Sequence, residues 1–418
     1  MTTEIFKTNN GITVANIKNE SSMALFGIVV LAGSNYETPE VAGIGHYVEH
    51  VGFKGSEKRN WKQINEEFAK MGSSPNAYTS NSEIFYHSAC PKESIPQAIE
   101  LMSDLFFNST IPVEEMEKER NVIIEEKKMY EDDPKGAFTI MLGEKFFQWN
   151  IGHDVIGTFD SIKSITRQQI LDYKKDKTSL DNFVFICSGN IDSKDLKKYI
   201  EDNTPKEHIY LRSVGTNDLA GGMWTDIINK EDKVKFLLEK ENITQSMVYM
   251  MMPALSADDS MYYSEAVLYK ACGGGMYSRL FSKIREELGL CYSVGMYGQS
   301  LSYPDRRIAN LYGYTSPENV DLFIEESEKV LKEVMKNGLD QNIFECAKTD
   351  YLASVLRHTE TSVGKAMYLV NKLLVNKKGN IEDIVKGIRE VKIENCNKLA
   401  EKLLNQQYNW AVMNPKKA

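Results

Sequence analysis

In the stretch AGIGHYVEHVGFKGSEKR, residues 42–59, two of the chain's six histidines stand four positions apart, and Glu49 directly precedes the second. On a helix His46 and His50 fall one turn apart on one face, with about 5 to 6 Å between their β-carbons. Two imidazole nitrogens at that separation can share one zinc ion. Glu49, three residues after His46, lies on the same side and can accept a proton from an activated water without being a ligand. A lone histidine on such a helix is usually a packed or solvated side chain. The trio in the order H-x-x-E-H points instead to metal-assisted hydrolysis.

A catalytic zinc takes three protein ligands and keeps one position open. The segment EEMEKERNVIIEEKK offers Glu114, Glu115, Glu117, Glu119, Glu125 and Glu126 as carboxylates for the third place. Most of a run like this should be a solvated helix face. Glu119 and Glu126 are seven apart and so lie two turns along one face, and Val122 and Ile123 beside it are expected to turn that face inward. A buried carboxylate needs a partner, and a metal is one.

The elements that must carry these residues follow one order twice. The first half runs from the strand MALFGIVVLAGS through the HYVEH helix and the alternating strands of NAYTSNSEIFYHSAC. It then passes through long helices to TRQQILDYKKDK and the closing strand NFVFICSGNI. The second half repeats this from SMVYMMMPALS to YNWAVMNP, including the helix SRLFSKIREELG, which ends at a glycine. Each half is therefore an α+β unit, an antiparallel β-sheet covered by helices. The expected domains are 1–213, a Gly-, Asn- and Asp-rich linker over 214–234, and 235–418, two homologous domains facing each other across a cleft. At the repeat offset His46, His50 and Glu126 face Leu268, Cys272 and Leu352. The second domain is thus expected to lack zinc and to help bind substrate.

Composition narrows the class of partner. Hydrophobic content of 42% with 26% charged residues describes a globular chain. A net charge of −9 argues against a nucleic-acid binder, which would show a basic face. The apolar run ALFGIVVLAG suits a buried strand and is too short to cross a bilayer, so no membrane association is expected. The N-terminus has neither a basic start with an apolar core nor an arginine-rich, acid-poor character. Six cysteines without a CxxC pair suit a reducing, cytoplasmic location.

Together these residues resemble the pitrilysin/insulinase family of zinc peptidases, the inverzincins. The family pattern is HxxEH with glutamates 69 and 76 positions after the second histidine, and Glu119 and Glu126 stand at those distances from His50. The resemblance implies one zinc (Zn2+) per chain on His46, His50 and Glu126, with Glu49 as general base and Glu119 in support. Glu125, about 100° around the helix, is set aside. GSSPNAYTSNSEIFY resembles the entry to the family's substrate-binding edge strand, with Asn76 and Ala77 as the contacting pair; a peptide adds there through backbone hydrogen bonds. SRLFSKIREELGLCYSV resembles a segment in which an Arg and a Tyr seven apart, here Arg285 and Tyr292, bind substrate and stabilise the transition state. IGHDVIGTFDSIKSIT matches the family but lacks its usual Pro and basic residue near His153, a departure expected to alter only a surface loop. The implied activity is zinc-dependent endopeptidase action on peptides or unfolded polypeptide segments. The implied partner is a second copy of the chain, or an inactive homologue in a heterodimer. The competing expectation is a non-catalytic, core-type subunit.

Overall fold

The computed structural model describes residues 2–180, 182–206, 235–302, 306–374, 380–405 and 408–416. The expected linker lies outside them. The first sheet contains β1 (Thr2–Lys7), β2 (Thr13–Lys18), β3 (Met23–Val30), β4 (Ser74–Thr79), β5 (Ile84–Pro91) and β6 (Phe183–Gly189). Their order is β1-β2-β6-β3-β5-β4, antiparallel except for the β2–β6 pair. The second sheet contains β7 (Lys235–Lys240), β8 (Ser246–Pro253), β9 (Cys291–Ser302), β10 (Arg306–Thr315) and β11 (Asn409–Pro415). Its order, β7-β11-β8-β10-β9, reproduces β2-β6-β3-β5-β4, down to a single parallel pair, β7–β11. The repeat seen in the sequence is therefore a repeat of topology.

The helices that matter for the site are α1 (Ile44–Val51), α2 (Ile95–Asn108), α3 (Val113–Asp132), α4 (Arg167–Lys177), α5 (Tyr262–Gly273) and α6 (Ser362–Leu374). β3 is apolar almost without alternation, MALFGIVV, because both of its faces are covered. Ala24, Phe26, Ile28 and Val30 enter the core with α1 and α2. Leu25 and Val29 point the other way, into a core shared with Ala366, Leu369 and Val370 of α6.

That second core corrects the expected domain line. The chain divides into two compact units, Met1–Gly222 with His358–Lys378, and Met223–Arg357 with Gly379–Ala418. The physical reason is the back face of the first sheet. Ala15, Ile17, Phe85 and Ile186 need an apolar cover, and the second half supplies it in α6. One further element departs from expectation: the segment read as an ordinary helix before Gly289 is a π-helix over Phe281–Glu287. Among the described residues no helix is long and apolar enough to cross a membrane.

Candidate metal centre

Helix α1 begins at Gly43, whose φ of 87° is the left-handed conformation that glycine adopts without strain. A β-carbon there would meet the Ile156 carbonyl oxygen at 2.1 Å, so the position also needs the missing side chain. The Gly43 and Gly45 amides donate to the Glu37 carboxylate at 2.6 and 2.8 Å, which satisfies the first turn and suits its dipole. His153 Nε2 meets the same carboxylate at 3.1 Å, and its ring stacks on Trp149 with centroids 4.0 Å apart. His153 is buried, not part of a surface loop as the sequence suggested. The glycines flanking the motif thus fix where the helix starts.

At the other side of the site, α3 meets α1 through Tyr47, whose hydroxyl donates to the Met116 carbonyl at 2.7 Å. This brings Glu119 and Glu126 opposite the histidines. His50 Nε2 lies 3.2 Å and His46 Nε2 3.7 Å from Glu126 Oε2. One ligand atom from each of the three residues falls within 4.8 Å of the others. Tetrahedral zinc with bonds of about 2.0 to 2.1 Å would hold its ligand atoms about 3.3 Å apart, so the donor set fits. His50 turns its Nδ1 to Glu119 Oε2 at 3.1 Å, which leaves Nε2 to bind a metal, and Glu119 Oε1 pairs with Lys54 at 2.6 Å. The buried Nδ1 of His46 has no such partner among the described residues.

Glu125 is 72% exposed and paired with Lys128 at 2.7 Å, so it points away from the ligands. Ile123 is buried as expected, but Val122 is 49% exposed and does not turn the face inward.

The protonation states differ across the site. Burial, reinforced by the neighbouring His50, pushes His46 down to about 4 and keeps it neutral. Burial also opposes charge on His50, but its hydrogen bonds to Glu119 and Glu126 prevail and raise it to about 9. Without metal, His50 is therefore protonated on both ring nitrogens, donating from Nδ1 to Glu119 and from Nε2 to Glu126. Burial raises Glu49, partly countered by the Thr79 hydroxyl, which donates to Glu49 Oε2 at 2.6 Å.

Glu49, His46, Glu126, Ala77, Thr79 and Asp154 line one cleft of about 560 Å³. One wall is β4, which among the described residues pairs only with β5 and leaves its other edge open. Asn76 is exposed on that strand, and its Oδ1 accepts the Ala77 amide at 2.9 Å. In the second unit the π-helix and the Gly289 turn, with φ 61°, bring Arg285 and Tyr292 together. The Arg285 guanidinium lies over the Phe281 and Tyr292 rings, 4.6 and 4.7 Å from their centroids, and Tyr292 is 77% exposed. Sequence reasoning missed Glu37, Lys54 and Thr79. Only Glu37 left a trace there, as an acid shortly before a glycine-rich helix start.

Two α+β units share one strand order, and in the first of them His46 and His50 of α1 with Glu126 of α3 form a His-His-Glu group that could hold a metal ion. The chain belongs to the insulinase (M16) peptidase family. The insulinase profile matches residues 13–158, and the profile described as the M16 inactive domain matches 164–351. A similar protein in Bacillus subtilis is an uncharacterized zinc protease, YmxG, 28% identical over 412 residues and 97% of both chains. A solved protease from Helicobacter pylori has the same fold, with TM-score 0.89, 17% identity and 99% of each chain covered. A Pseudomonas fluorescens structure described as a peptidase M16 inactive domain gives TM-score 0.85 at 17% identity, over 100% of this chain and 99% of that one.

The Glu119 contact yields a first expected result. Glu119→Gln removes the charge behind His50 and should weaken zinc binding about 10- to 100-fold, measured by competition with a chelating dye. Unchanged affinity would mean that Glu119 serves Lys54 alone.

Proposed function

We propose that this chain is a zinc-dependent endopeptidase acting on peptides or unfolded polypeptide segments. The observation that supports this most is the presence of Glu49, His46 and Glu126 in one cleft walled by the open strand β4. A zinc ion held by His46, His50 and Glu126 would supply Lewis acidity, lowering the pKa of a water toward about 7 and polarising the scissile carbonyl. Glu49 takes the proton of the attacking water and passes it to the leaving amine. Its burial favours the proton-accepting role, and Thr79 fixes which oxygen faces the cleft.

The free edge of β4 binds the peptide backbone in extended form, and the Asn76 side chain stands in for it at the Ala77 amide. Arg285 and Tyr292 are assigned to substrate binding and transition-state stabilisation on the family resemblance, and Tyr292 carries an exposed hydroxyl donor. A homodimer, or pairing with an inactive homologue, and a cytoplasmic location complete the proposal.

Zinc removal tests it. Purified chain should carry about one zinc and cleave members of a mixed peptide library, read by mass spectrometry. Chelation should abolish cleavage and added zinc restore it. Zinc-replete protein that cleaves nothing would sink the endopeptidase reading in favour of a non-catalytic subunit.

A further inference from the structure

The run IGHDVIGTFDSIKSIT, residues 151–166, supplies none of the three ligand residues, yet it touches both helices that do. On the side of α1, His153 Nε2 lies 3.1 Å from the Glu37 carboxylate, which in turn holds the Gly43 and Gly45 amides. The backbones close up behind that contact. A β-carbon on Gly157 would meet the Ala42 carbonyl oxygen at 2.2 Å, and the Ser161 hydroxyl donates to the same oxygen at 2.6 Å. The start of α1 is seated on this run.

On the side of α3 the contact falls beside the third ligand. Lys127, next to Glu126, is buried, and its Nζ pairs with Asp154 Oδ2 at 2.9 Å. The ammonium also lies 5.3 Å from the Phe159 ring centroid. Asp154 Oδ1 accepts the Ile156 amide at 3.1 Å, which fixes how the carboxylate is turned. A buried ammonium needs a counter-charge, so this pair is not readily parted. Two turns earlier on α3, Arg120 donates to the Ile162 and Ile165 carbonyls. Glu131 pairs with Lys127 as well, at 3.2 Å, but it stands on α3 itself and ties that helix to nothing else through this pair.

His153 and Asp154 are consecutive, so a single peptide unit joins the contact on α1 to the contact on α3. The Tyr47–Met116 bond fixes α3 ten residues before Glu126, about 15 Å away along the helix. Metal–ligand distances tolerate errors of only about 0.2 Å. The place of Glu126 relative to the histidines therefore depends on a contact nearer the site.

We propose that His153 and Asp154 are positioning residues of the metal centre, a two-residue tie that sets the spacing between His46 and His50 on α1 and Glu126 on α3. The inference rests on the reading that these three residues bind zinc. Neither His153 nor Asp154 is a ligand; each acts through the helix it holds.

The test uses the full chain and two readouts, zinc affinity by competition with a chelating dye and the visible absorption of the cobalt(II)-loaded protein, whose bands follow ligand geometry. Asp154→Asn should weaken zinc binding about 10- to 100-fold and alter the cobalt bands. His153→Phe, which can keep the stack on Trp149 but not the contact with Glu37, should do the same. Lys127→Met removes the tie without leaving a buried ammonium unpaired, so its loss of affinity cannot be laid to misfolding. Glu131→Gln takes the other acid from Lys127 and leaves the tie whole, so it should stay within about twofold of wild type. Wild-type affinity and cobalt bands in Asp154→Asn, with only a lower unfolding midpoint, would make the pair merely structural and overturn the proposal. An equal loss in Glu131→Gln would also overturn it, because charge near the zinc would then be the cause. A wild-type chain that binds no zinc would instead sink the metal reading beneath it.

Discussion

Glu49→Gln is expected to keep the fold and the metal and to lose about 10² to 10⁴ in peptide turnover. The amide is nearly the same size and can still accept the Thr79 hydroxyl, which approaches Glu49 Oε2 at 2.6 Å. It cannot take a proton, so the loss reports the acid–base step and little else. Glu49 also stands outside the His46, His50 and Glu126 group, so zinc content should stay at the wild-type level. Turnover equal to wild type would remove Glu49 from the mechanism, and loss of zinc would make it a ligand. A control substitution at Glu125, exposed and paired with Lys128, should change neither quantity.

A second large effect is expected far from the cleft. Val370→Asp places a charge in the core between α6 and the first sheet, where Val370 is fully buried among Leu369, Ala366 and the back-face residues Ala15, Ile17 and Ile186. The described residues of that core are apolar, so the variant should lose about 4 kcal/mol or more. Val370→Ala, which only removes methyl groups, should lose about 1 to 3 kcal/mol. Urea unfolding followed by the signal of the first unit measures both. If Val370→Asp unfolds at the wild-type midpoint, α6 is a loose attachment and not part of that unit's core.

These two cases mark what could be read in advance. The motif on α1 was legible because its geometry is local: four residues of helix decide which side chains share a face. The choice among the acids of α3 was only half legible. A seven-residue spacing joins Glu119 to Glu126, but which acid touches the histidines depends on how α3 lies against α1, through contacts such as Tyr47 to Met116. Val122 failed as a guide because an apolar residue beside a face does not set which face is buried. The Glu37–His153 contact spans 116 positions and has no periodic signature at all. β3 did announce, by its unbroken apolar run, that both faces are covered. It could not say that the cover arrives from residues 362–374, because burial demands a partner of suitable chemistry and not one of a given sequence position.

The late position of α6 also bears on how the protein is made. The last strand of the first sheet, β6, ends at Gly189, and α6 ends at Leu374, roughly 185 residues later. At about 5 to 20 residues per second, ribosomes need about 10 to 40 s to cover that distance. Throughout that interval Leu25, Val29, Phe85 and Ile186 lack the cover that Ala366, Leu369 and Val370 give them in the folded chain. Production of this protein should therefore depend on chaperone capacity and translation speed more than its finished core would suggest.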